Sequence, residues 1–244
     1  MNTIFKLCLS LLILLSATIA KHAYADSKTL EQNFKQNYPD LSIDAINPAP
    51  MAGMYEVYVD GELIYTDESA QYLLFGNLLD VKNKRNLTEE HLNQLNKIDV
   101  TKLPLNQAIQ YSKGKGERTL YIFSDPDCPY CQKLEHYMTN IDNVKVYVFL
   151  YPLTQLHPKA KIAAQQIWCA TDRAKAWEDY LLNRKLAKNS GQCETPIQKN
   201  LDLGQTLKIT GTPTIFLENG ERISGIPQDA SQLEQLIQQA STQK

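Results

Sequence analysis

Apolar and polar residues are arranged in three different ways along this chain. Residues 7–20 are almost wholly apolar. Residues 54–81 carry short runs in which apolar and polar positions alternate, as in strands with one buried face. From Thr119 onward, buried-strand patterns alternate with amphipathic helical patterns, which indicates an α/β domain. The pattern therefore predicts an N-terminal leader, a small β-rich domain and a larger α/β domain.

The β-rich part is predicted to form a small antiparallel sheet. Asp60-Gly61 is a strong signal for a tight hairpin turn between its first two strands. The predicted elements are a helix over residues 30–38, strands over residues 54–59, 62–66, 72–75 and 78–81, and a helix over residues 88–97 with Thr88 as its N-cap. A unit of roughly 60 residues is marginal as an independent fold. Its sheet edges therefore need cover, either from a partner subunit or from the rest of the chain.

The α/β part is predicted to contain four strands and five helices. The strands are predicted over residues 120–123, 144–150, 214–217 and 222–224, and the helices over residues 131–139, 159–170, 173–182, 196–207 and 231–239. Polar stretches at residues 82–86 and 113–118 mark boundaries. We therefore predict an N-terminal domain over residues 26–86, a linker helix and approach segment over residues 87–115, and an α/β domain over residues 116–244.

The first 25 residues are typical of a cleaved secretory signal peptide. Lys6 precedes the apolar run, and Ala23-Tyr24-Ala25 supplies the small-x-small pattern of a cleavage site, so the mature chain is predicted to begin at Asp26. A transmembrane anchor is the main alternative, but the run is shorter than the roughly 20 residues needed to span a bilayer. A lipoprotein signal at Cys8 is a weaker alternative, because Cys8 stands at the start of the run. An exported, oxidising location is expected.

Composition narrows the class of protein. The chain has 244 residues, is 43% hydrophobic and 21% charged, and can bury a core. Its net charge is −2, and without Lys6 and Lys21 the remaining 23 basic and 27 acidic residues give −4, so a large basic field for nucleic acid is absent. Five cysteines are too few for a small disulfide scaffold.

Two of these cysteines form the main chemical motif, Cys128-Pro-Tyr-Cys131. The motif follows a predicted buried strand and opens a predicted helix, where unpaired N–H groups and the helix dipole stabilise a thiolate. Cys128 is predicted to attack a disulfide, and the more buried Cys131 to resolve the mixed disulfide. Pro129 suits the first helical turn. Pro129 and Tyr130 are therefore assigned as active-site support.

A C-x-x-C pair also occurs in zinc sites, in c-type haem attachment sites and in inert structural disulfides. A zinc site needs two more ligands at suitable spacing, and Cys169 and Cys193 do not supply a second C-x-x-C motif. A c-type haem site needs His after the second Cys, where this chain has Gln132. An inert structural disulfide is an alternative, but the strand-loop-helix setting favours redox chemistry. No metal and no cofactor are expected.

A second motif, Thr210-Gly-Thr-Pro213, stands directly before a predicted strand. Proline is disfavoured inside a sheet, so a bend is predicted there. A cis bond before Pro213 has a low frequency on its own, but it is expected in combination with an upstream C-x-x-C. The bend would expose the backbone of Thr212 for pairing with an extended substrate segment.

The remaining candidates have mainly structural interpretations. If Cys128 and Cys131 are the active pair, Cys169 and Cys193 are left for each other, as a structural disulfide or as a second redox site. His136 and His157 are interpreted as surface residues rather than general bases, although His157 precedes Pro158 in a predicted loop that could flank the site. Asp125 and Asp127 adjoin the motif and can tune its pKa without being catalytic. Trp168 and Trp177 are interpreted as core residues.

Several stretches together resemble the DsbC/DsbG family of periplasmic disulfide isomerases, within the thioredoxin superfamily. The resemblance rests on the run from Phe123 to Leu134 (FSDPDCPYCQKL), with Phe149-Leu-Tyr-Pro-Leu153, His157-Pro158, Ile167-Trp-Cys-Ala170, Asn200-Leu-Asp-Leu-Gly204, Gly211-Thr-Pro-Thr214 and Met51-Ala-Gly-Met54. It covers nearly the whole mature chain. One departure is Pro129, where well-known members carry Gly, and this leaves the balance between isomerase, reductase and oxidase open.

The resemblance implies a thioredoxin-like catalytic domain with a helical insertion, preceded by a small α+β dimerisation domain and a linker helix. It implies Cys128 as nucleophile with Cys131 as its partner, a cis Pro213 and a structural Cys169–Cys193 bridge. It also implies a V-shaped periplasmic homodimer with some chaperone character, which acts on misfolded disulfide-containing secreted proteins and is kept reduced by an inner-membrane DsbD-type reductase. A monomeric DsbA-like oxidase and a periplasmic chaperone with an incidental dithiol stay open as alternatives.

Overall fold

The structure is a computed structural model and describes residues 27–242. The predicted signal peptide and its cleavage site lie outside the described residues. The chain divides into two compact units between Leu92 and Asn93.

The N-terminal unit is built on a four-stranded antiparallel sheet. Helix α1 covers residues 27–37, and the strands are β1 (Ile43–Pro48), β2 (Tyr55–Val59), β3 (Glu62–Thr66) and β4 (Leu73–Phe75), in the order β1-β2-β3-β4. A two-stranded ribbon of β5 (Leu79–Asp80) and β6 (Arg85–Asn86) then leads into α2 (Leu87–Leu95). The predicted hairpin turn is confirmed, because Asp60 and Gly61 both have positive φ values, 51° and 90°.

The two faces of this sheet bury different kinds of residue. On one face, Leu30 and Phe34 of α1 are buried in a cluster with Val57, Val59 and Ile64. On the other face, the Tyr65 hydroxyl lies 2.5 Å from Thr88 Oγ1, and His91 is hydrogen-bonded to the buried Glu56. The alternation seen in the sequence therefore separates an apolar face from a face with polar contacts to α2.

One strand of this unit was not predicted, and one predicted helix cap was wrong. Strand β1 was not predicted, because apolar and polar residues alternate imperfectly in its sequence, Ile-Asp-Ala-Ile-Asn-Pro. Its pairing with β2 contains a register shift, and it ends in Pro48, which an edge strand tolerates. Thr88 is not the cap of α2. Asn86 Oδ1 accepts the Glu89 N–H at 3.2 Å, whereas the Thr88 hydroxyl accepts the Leu78 N–H at 2.7 Å.

The second unit is built on a five-stranded mixed sheet with helices on both faces. Its elements are β7 (Ile109–Lys113), β8 (Arg118–Ser124), α3 (Pro129–Met138), β9 (Val144–Leu150), α4 (Ala160–Trp168), α5 (Arg173–Asn183), α6 (Ile197–Thr206), β10 (Thr214–Leu217), β11 (Arg222–Ser224) and α7 (Ala230–Thr242). The strand order is β11-β10-β8-β9-β7. Strands β8 and β9 are parallel, and every other pairing in this sheet is antiparallel.

Alternate residues of the central strands enter two different cores. Leu120 and Ile122 of β8 face a large cluster with residues of α3, α4, α5 and α7. Phe123 faces the opposite cluster, where it stacks on Phe149 with ring centroids 4.8 Å apart and meets Phe216 edge-on. Because both faces of β8 are covered, its end is held rigidly at the point where the cysteine motif begins.

Strand β7 was not predicted, and it lies within the predicted approach segment. Its residues alternate in burial, with Ile109 buried and Gln110 exposed, over only five positions at a sheet edge. So short a polar pattern (Ile-Gln-Tyr-Ser-Lys) is a weak strand signal. By contrast, the predicted strands β9, β10 and β11 are confirmed with their bounds unchanged.

Helices α4 and α5 form the predicted helical insertion, which follows β9 and precedes α6. Trp168 and Trp177 are buried there, which confirms their interpretation as core residues. Trp168 Nε1–H donates to the Glu194 carbonyl at 3.1 Å and so joins α4 to the loop before α6.

Candidate active site

Strand β8 and helix α3 place the two motif cysteines at the end of the sheet where the parallel strands β8 and β9 finish. Residues 125–127 turn the chain between them, and the Cys128 N–H donates to the Asp125 carbonyl at 3.2 Å. Cys128 is the N-cap of α3, with φ −71° and ψ 125°, and Pro129 occupies the first turn. The start of the helix therefore lies at Cys128, and Cys131 follows one turn later.

The two thiols have different surroundings, although both belong to buried residues. The exposed fraction is 4% for Cys128 and 1% for Cys131. A hydrogen bond from the Cys131 thiol, with help from the Cys131 and Tyr130 N–H groups, lowers the pKa of Cys128 to about 5. Burial, and then the neighbouring Cys128, raise the pKa of Cys131 well above its ordinary value. Cys128 is therefore the thiolate of the pair at neutral pH.

The proline loop, residues 211–213, lies against Cys128. The Thr212–Pro213 bond is cis, and Cys128 Sγ lies 3.4 Å from the Thr212 carbonyl oxygen. The sheet explains this contact, because β10 begins at Thr214 and pairs there with Phe123 near the end of β8. The pairing of β8 with β10 thus brings Thr212 and Cys128, which are far apart in the sequence, to the same end of the sheet.

Asp125 is a buried acceptor that ties this edge together. Its carboxylate accepts the Asp127 N–H at 2.8 Å, the Leu153 N–H at 2.7 Å and a ring nitrogen of His157 at 2.9 Å. His157 was interpreted as a surface residue, and this was wrong. It is partly buried, and its hydrogen bond to Asp125 raises the pKa of its imidazole. His136 is exposed at the end of α3, as predicted.

Asp127 has partners that the sequence did not reveal. Its Oδ1 accepts the Tyr180 hydroxyl at 2.6 Å and Arg184 Nη2 at 2.7 Å. Burial opposes the charged form, but these two donors hold the pKa of the Asp127 carboxyl below its ordinary value. Both donors come from α5 and its C-terminal end, more than fifty residues away in the chain, so no local motif could indicate them.

The other cysteine pair is closed and lies in the helical insertion. Cys169 and Cys193 form a disulfide with their Cα atoms 5.8 Å apart. Cys169 caps the C-terminal end of α4, and Cys193 lies in the loop before α6. The same loop is held by reciprocal hydrogen bonds at 2.8 Å between Gln166 and Asn189.

The remaining predicted site residues lie between or beside the active thiols. Tyr130 is 61% exposed, and Pro129 is also exposed at the helix start. Thr212 is partly buried, and Pro213 is buried under the start of β10. Ser124 and the Asp125 N–H also contact the buried sulfur, the latter at 3.4 Å from Cys131 Sγ. The structure thus brings Cys128, Cys131, Thr212 and Pro213 together at one edge.

A low-pKa cysteine at the start of a helix, a buried partner one turn later and a facing cis-proline loop define a thioredoxin-like thiol-disulfide oxidoreductase. Residues 105–241 match the thioredoxin-like domain family, and residues 21–89 match the N-terminal domain of the disulfide bond isomerase proteins. With both domain types and the relatives described below, the chain belongs to the DsbC family of thiol:disulfide interchange proteins.

The relatives extend over most of the chain. A probable thiol:disulfide interchange protein DsbC from Bordetella parapertussis is 35% identical over 82% of this chain and 71% of its own. DsbC from Escherichia coli is 28% identical over 88% of this chain and 89% of its own. A disulfide interchange protein from Neisseria gonorrhoeae has a crystal structure that is 38% identical, with a TM-score of 0.55, covering 57% of this chain and 98% of its own.

These findings establish the fold and the activity class. The chain is a thiol-disulfide oxidoreductase with a thioredoxin-like domain and a DsbC-type N-terminal domain, and the latter supports a homodimer. Within residues 27–242, no helix has both the length and the apolar character needed to cross a membrane.

Proposed function

We propose that this protein corrects non-native disulfides in secreted proteins, with Cys128 as the attacking thiol and Cys131 as the resolving thiol. The observation that carries the proposal is the geometry of the pair: Cys128 is the N-cap of α3 and faces Thr212 of the proline loop, and the buried Cys131 follows one turn later. This arrangement shifts the pKa values of the two thiols in opposite directions. The thiolate is the nucleophile in disulfide exchange, so the low pKa of Cys128 keeps it reactive at neutral pH. The buried Cys131 stays protonated until a mixed disulfide has formed.

The chemistry proceeds in two exchange steps. The Cys128 thiolate attacks one sulfur of a client disulfide, a Cys128–client bond forms, and the second client sulfur leaves as a thiolate. In isomerisation, a client thiolate then attacks the mixed disulfide, forms a new client disulfide and releases Cys128 as a thiolate. In reduction, Cys131 loses its proton and attacks Cys128 Sγ, which releases a reduced client and leaves the Cys128–Cys131 disulfide with two electrons transferred.

The proline loop is proposed to hold the client segment during these steps. The Thr212 carbonyl lies at Cys128, next to the cis bond. An extended peptide that presents its disulfide to Cys128 would pair with the backbone of Thr212, as an added strand does. Pro129 and Tyr130 are assigned a supporting role, and the exposed Tyr130 ring offers an apolar contact beside the reacting sulfur.

Refolding of a client with scrambled disulfides tests this assignment. Wild type is expected to restore native pairing, Cys128→Ala to be inactive, and Cys131→Ala to keep part of the isomerisation while losing reduction of insulin. Equal activity of wild type and Cys128→Ala would overturn the proposal and favour a chaperone. Trapping of the thiols in cells adds a second test, because a largely oxidised Cys128–Cys131 pair would indicate a DsbA-like oxidase.

Homodimerisation through the N-terminal domain is part of the proposal. Strand β4 lies at an edge of its sheet, and several apolar side chains on and near it are highly exposed: Tyr72, Leu74, Phe75, Leu79 and Val81. An exposed apolar edge strand is a surface for pairing with another chain. Sedimentation of residues 26–244 at micromolar concentration is expected to show a dimer, and Leu74→Asp to shift it to monomer. A monomeric wild type would contradict this part.

We also propose a periplasmic location and an inner-membrane reductase as electron donor. Isomerisation requires Cys128 to be free, so each reductive turnover must be followed by the return of two electrons to the Cys128–Cys131 disulfide. A DsbD-type reductase fits this need, and the leader at residues 1–25 would direct export. Deletion of such a reductase should convert the trapped pair to the disulfide. A Cys128–Cys131 pair that stays reduced in cells without the reductase would contradict this electron donor.

A further inference from the structure

Two acidic residues, Asp125 and Asp127, precede Cys128 within three residues. Asp127 directly precedes Cys128 in the sequence, and a nearby negative charge disfavours a thiolate, so the loop sequence alone conflicts with a reactive Cys128. The structure resolves the conflict for each acid separately. Asp125 is bound by His157 and by two backbone N–H groups, and Asp127 is bound by two side chains of a different element.

Those two side chains form a compact cluster at the C-terminal end of α5. Arg184 Nη2 donates to Asp127 Oδ1 at 2.7 Å and to the Tyr180 hydroxyl at 3.0 Å, and Arg184 Nη1 donates to the Pro126 carbonyl at 3.1 Å. The guanidinium also lies over the Tyr180 ring, 4.2 Å from its centroid. One arginine thus contacts both the charge and the backbone of the loop before Cys128.

Arg184 ends α5 in a backbone conformation that glycine adopts more easily. Helix termination therefore does not explain an arginine at this position, whereas the contacts of its side chain do. Arg184 has φ 54° and ψ 27°, the left-handed conformation in which helices end. Glycine adopts that conformation without the steric cost borne by other residues, and is the usual residue at such ends. From this position at the end of α5, the Arg184 guanidinium reaches the Pro126 carbonyl and the Asp127 carboxylate.

We propose that Arg184, oriented by Tyr180, is a positioning residue that fixes the Asp127 carboxylate and neutralises its charge beside Cys128, and thereby sets the reactivity of the active thiol. The inference rests on the proposed role of Cys128 as the attacking thiol. Besides Asp127, the titratable groups around this thiol are Cys131 on α3, Asp125 in the loop, and His157 after β9. Arg184 and Tyr180 act from α5, and they touch no sulfur directly.

The sign of the effect follows from charge. Without Arg184, the Asp127 charge is no longer balanced, so the Cys128 thiolate becomes less stable. The reduced protein is then disfavoured in the equilibrium in which the dithiol and oxidised glutathione give the protein disulfide and two reduced glutathiones. Because Arg184 is partly exposed, solvent weakens the effect. We expect the pKa of Cys128 to rise by roughly 0.5 to 1, and the equilibrium to move about 3- to 10-fold toward the disulfide.

The experiment uses the whole mature protein and measures thiolate absorbance at 240 nm against pH, together with the glutathione equilibrium. Arg184→Gly is the main variant, because it suits the left-handed backbone and so removes the side chain without straining the helix end. Arg184→Lys restores a charge but not the forked contact with Asp127 and Pro126, so we expect an intermediate pKa. Arg173→Gln is the matched control, because it removes a guanidinium of the same helix that lies over Trp168.

A double-mutant cycle separates this mechanism from general loosening of the loop. If Arg184 acts by fixing the Asp127 carboxylate, Arg184→Gly shifts the pKa of Cys128 less in an Asp127→Asn background, where only the direct charge of Arg184 is lost. The inference is overturned if Arg184→Gly leaves both the pKa and the equilibrium unchanged, or shifts them equally in that background. A wild-type Cys128 without thiolate absorbance at neutral pH, or alkylation at Cys131 instead, would show that the proposed function had failed first.

Discussion

The two cysteine pairs of this protein lie in the same domain but at opposite kinds of helix end. Cys128 is the N-cap of α3, where backbone N–H groups point at its sulfur. Cys169 caps the C-terminal end of α4, where carbonyl groups and the negative end of the dipole stand instead. Since the thiolate is the reactive form, the N-terminal end promotes exchange at Cys128, and the C-terminal end disfavours it at Cys169.

Their partners extend the contrast. Cys131 is held one turn away on the same helix, close enough to donate to Cys128 and later to attack it. Cys193 lies 24 residues from Cys169, in a loop that hydrogen bonds also hold. A short-range pair can open and close without moving the fold, whereas a long-range pair constrains the chain. Helix end and loop length thus support the proposed division, with exchange at the Cys128–Cys131 pair and stabilisation by the Cys169–Cys193 pair.

The largest effect is expected from Cys128→Ser. Without the thiolate at the helix start, reduction of insulin and refolding of a scrambled client should fall to the uncatalysed background. Among the described residues, no other free thiol has both a lowered pKa and a place at the start of a helix. The fold should persist, because serine also suits an N-cap. Activity assays with circular dichroism check both statements.

The comparison between the pairs would fail if Cys128→Ser kept substantial exchange activity. Cys131 would then be acting as nucleophile in spite of its raised pKa. Alkylation of the reduced variant, followed by peptide mapping, identifies the sulfur that reacts.

The next effect concerns stability. Replacing both Cys169 and Cys193 with serine should lower the free energy of unfolding by about 3–4 kcal/mol, the chain-entropy value for a loop of this length. Exchange activity at a temperature where the variant is folded should be close to wild type. Urea unfolding of the oxidised proteins measures the loss.

A variant with wild-type stability would show that the hydrogen bonds between Gln166 and Asn189 hold the loop without the disulfide. A variant with normal stability but altered client turnover would support the second-redox-site alternative. Gln166→Ala in the wild-type background is the matched control for the loop's other support.

Sequence reasoning worked best where the signal was local. The C-x-x-C motif after an apolar strand, the Asp60-Gly61 turn and the uninterrupted strand β9 all carry their information within ten residues. Edge strands β1 and β7 were not predicted because half-exposed strands of five or six residues mix polar and apolar positions without a clear period.

The unpredicted part of the candidate site is its ring of polar partners. His157 reaches Asp125 from the loop after β9, and Arg184 reaches Asp127 from the end of α5, across 32 and 57 residues. Such pairs depend on how elements pack, and a lone His or Arg in a sequence carries no sign of its partner. The sequence shows both acids beside the motif, but the sign of their influence on the Cys128 thiol depends on these distant partners.

The pH dependence of alkylation gives a sharper view of the active pair. Since the pKa of Cys128 is lowered to about 5, its rate with iodoacetamide should be nearly constant from neutral pH down to that value and then fall about tenfold per pH unit. In urea the midpoint should return to about 8.5. The depressed pKa also implies that this thiolate stabilises the reduced protein fully above the unfolded value, and that the contribution disappears as pH falls through the folded value.

Stopped-flow alkylation of the reduced protein measures this profile. A midpoint near 8 in the folded protein would mean that the helix start and Cys131 do not stabilise the thiolate, and the distinction between the two pairs would lose its electrostatic basis. The Cys169→Ser, Cys193→Ser variant is a useful control, because its profile should match wild type.

The smallest predicted effect tests whether His157 belongs to the site. Its hydrogen bond to the buried Asp125 raises the pKa of the imidazole, so its contribution to stability is complete below the unfolded value of about 6.5 and is lost as pH rises through the folded value. His157→Gln should therefore destabilise the protein at pH 5.5, by no more than about 1 kcal/mol for a partly exposed ion pair, and much less at pH 9. Urea unfolding of the oxidised protein removes the titration of Cys128 from the measurement. His136→Gln, on the exposed side of α3, should show a smaller pH dependence, and equal profiles for the two variants would mean that the contact with Asp125 does not distinguish His157 from a surface histidine.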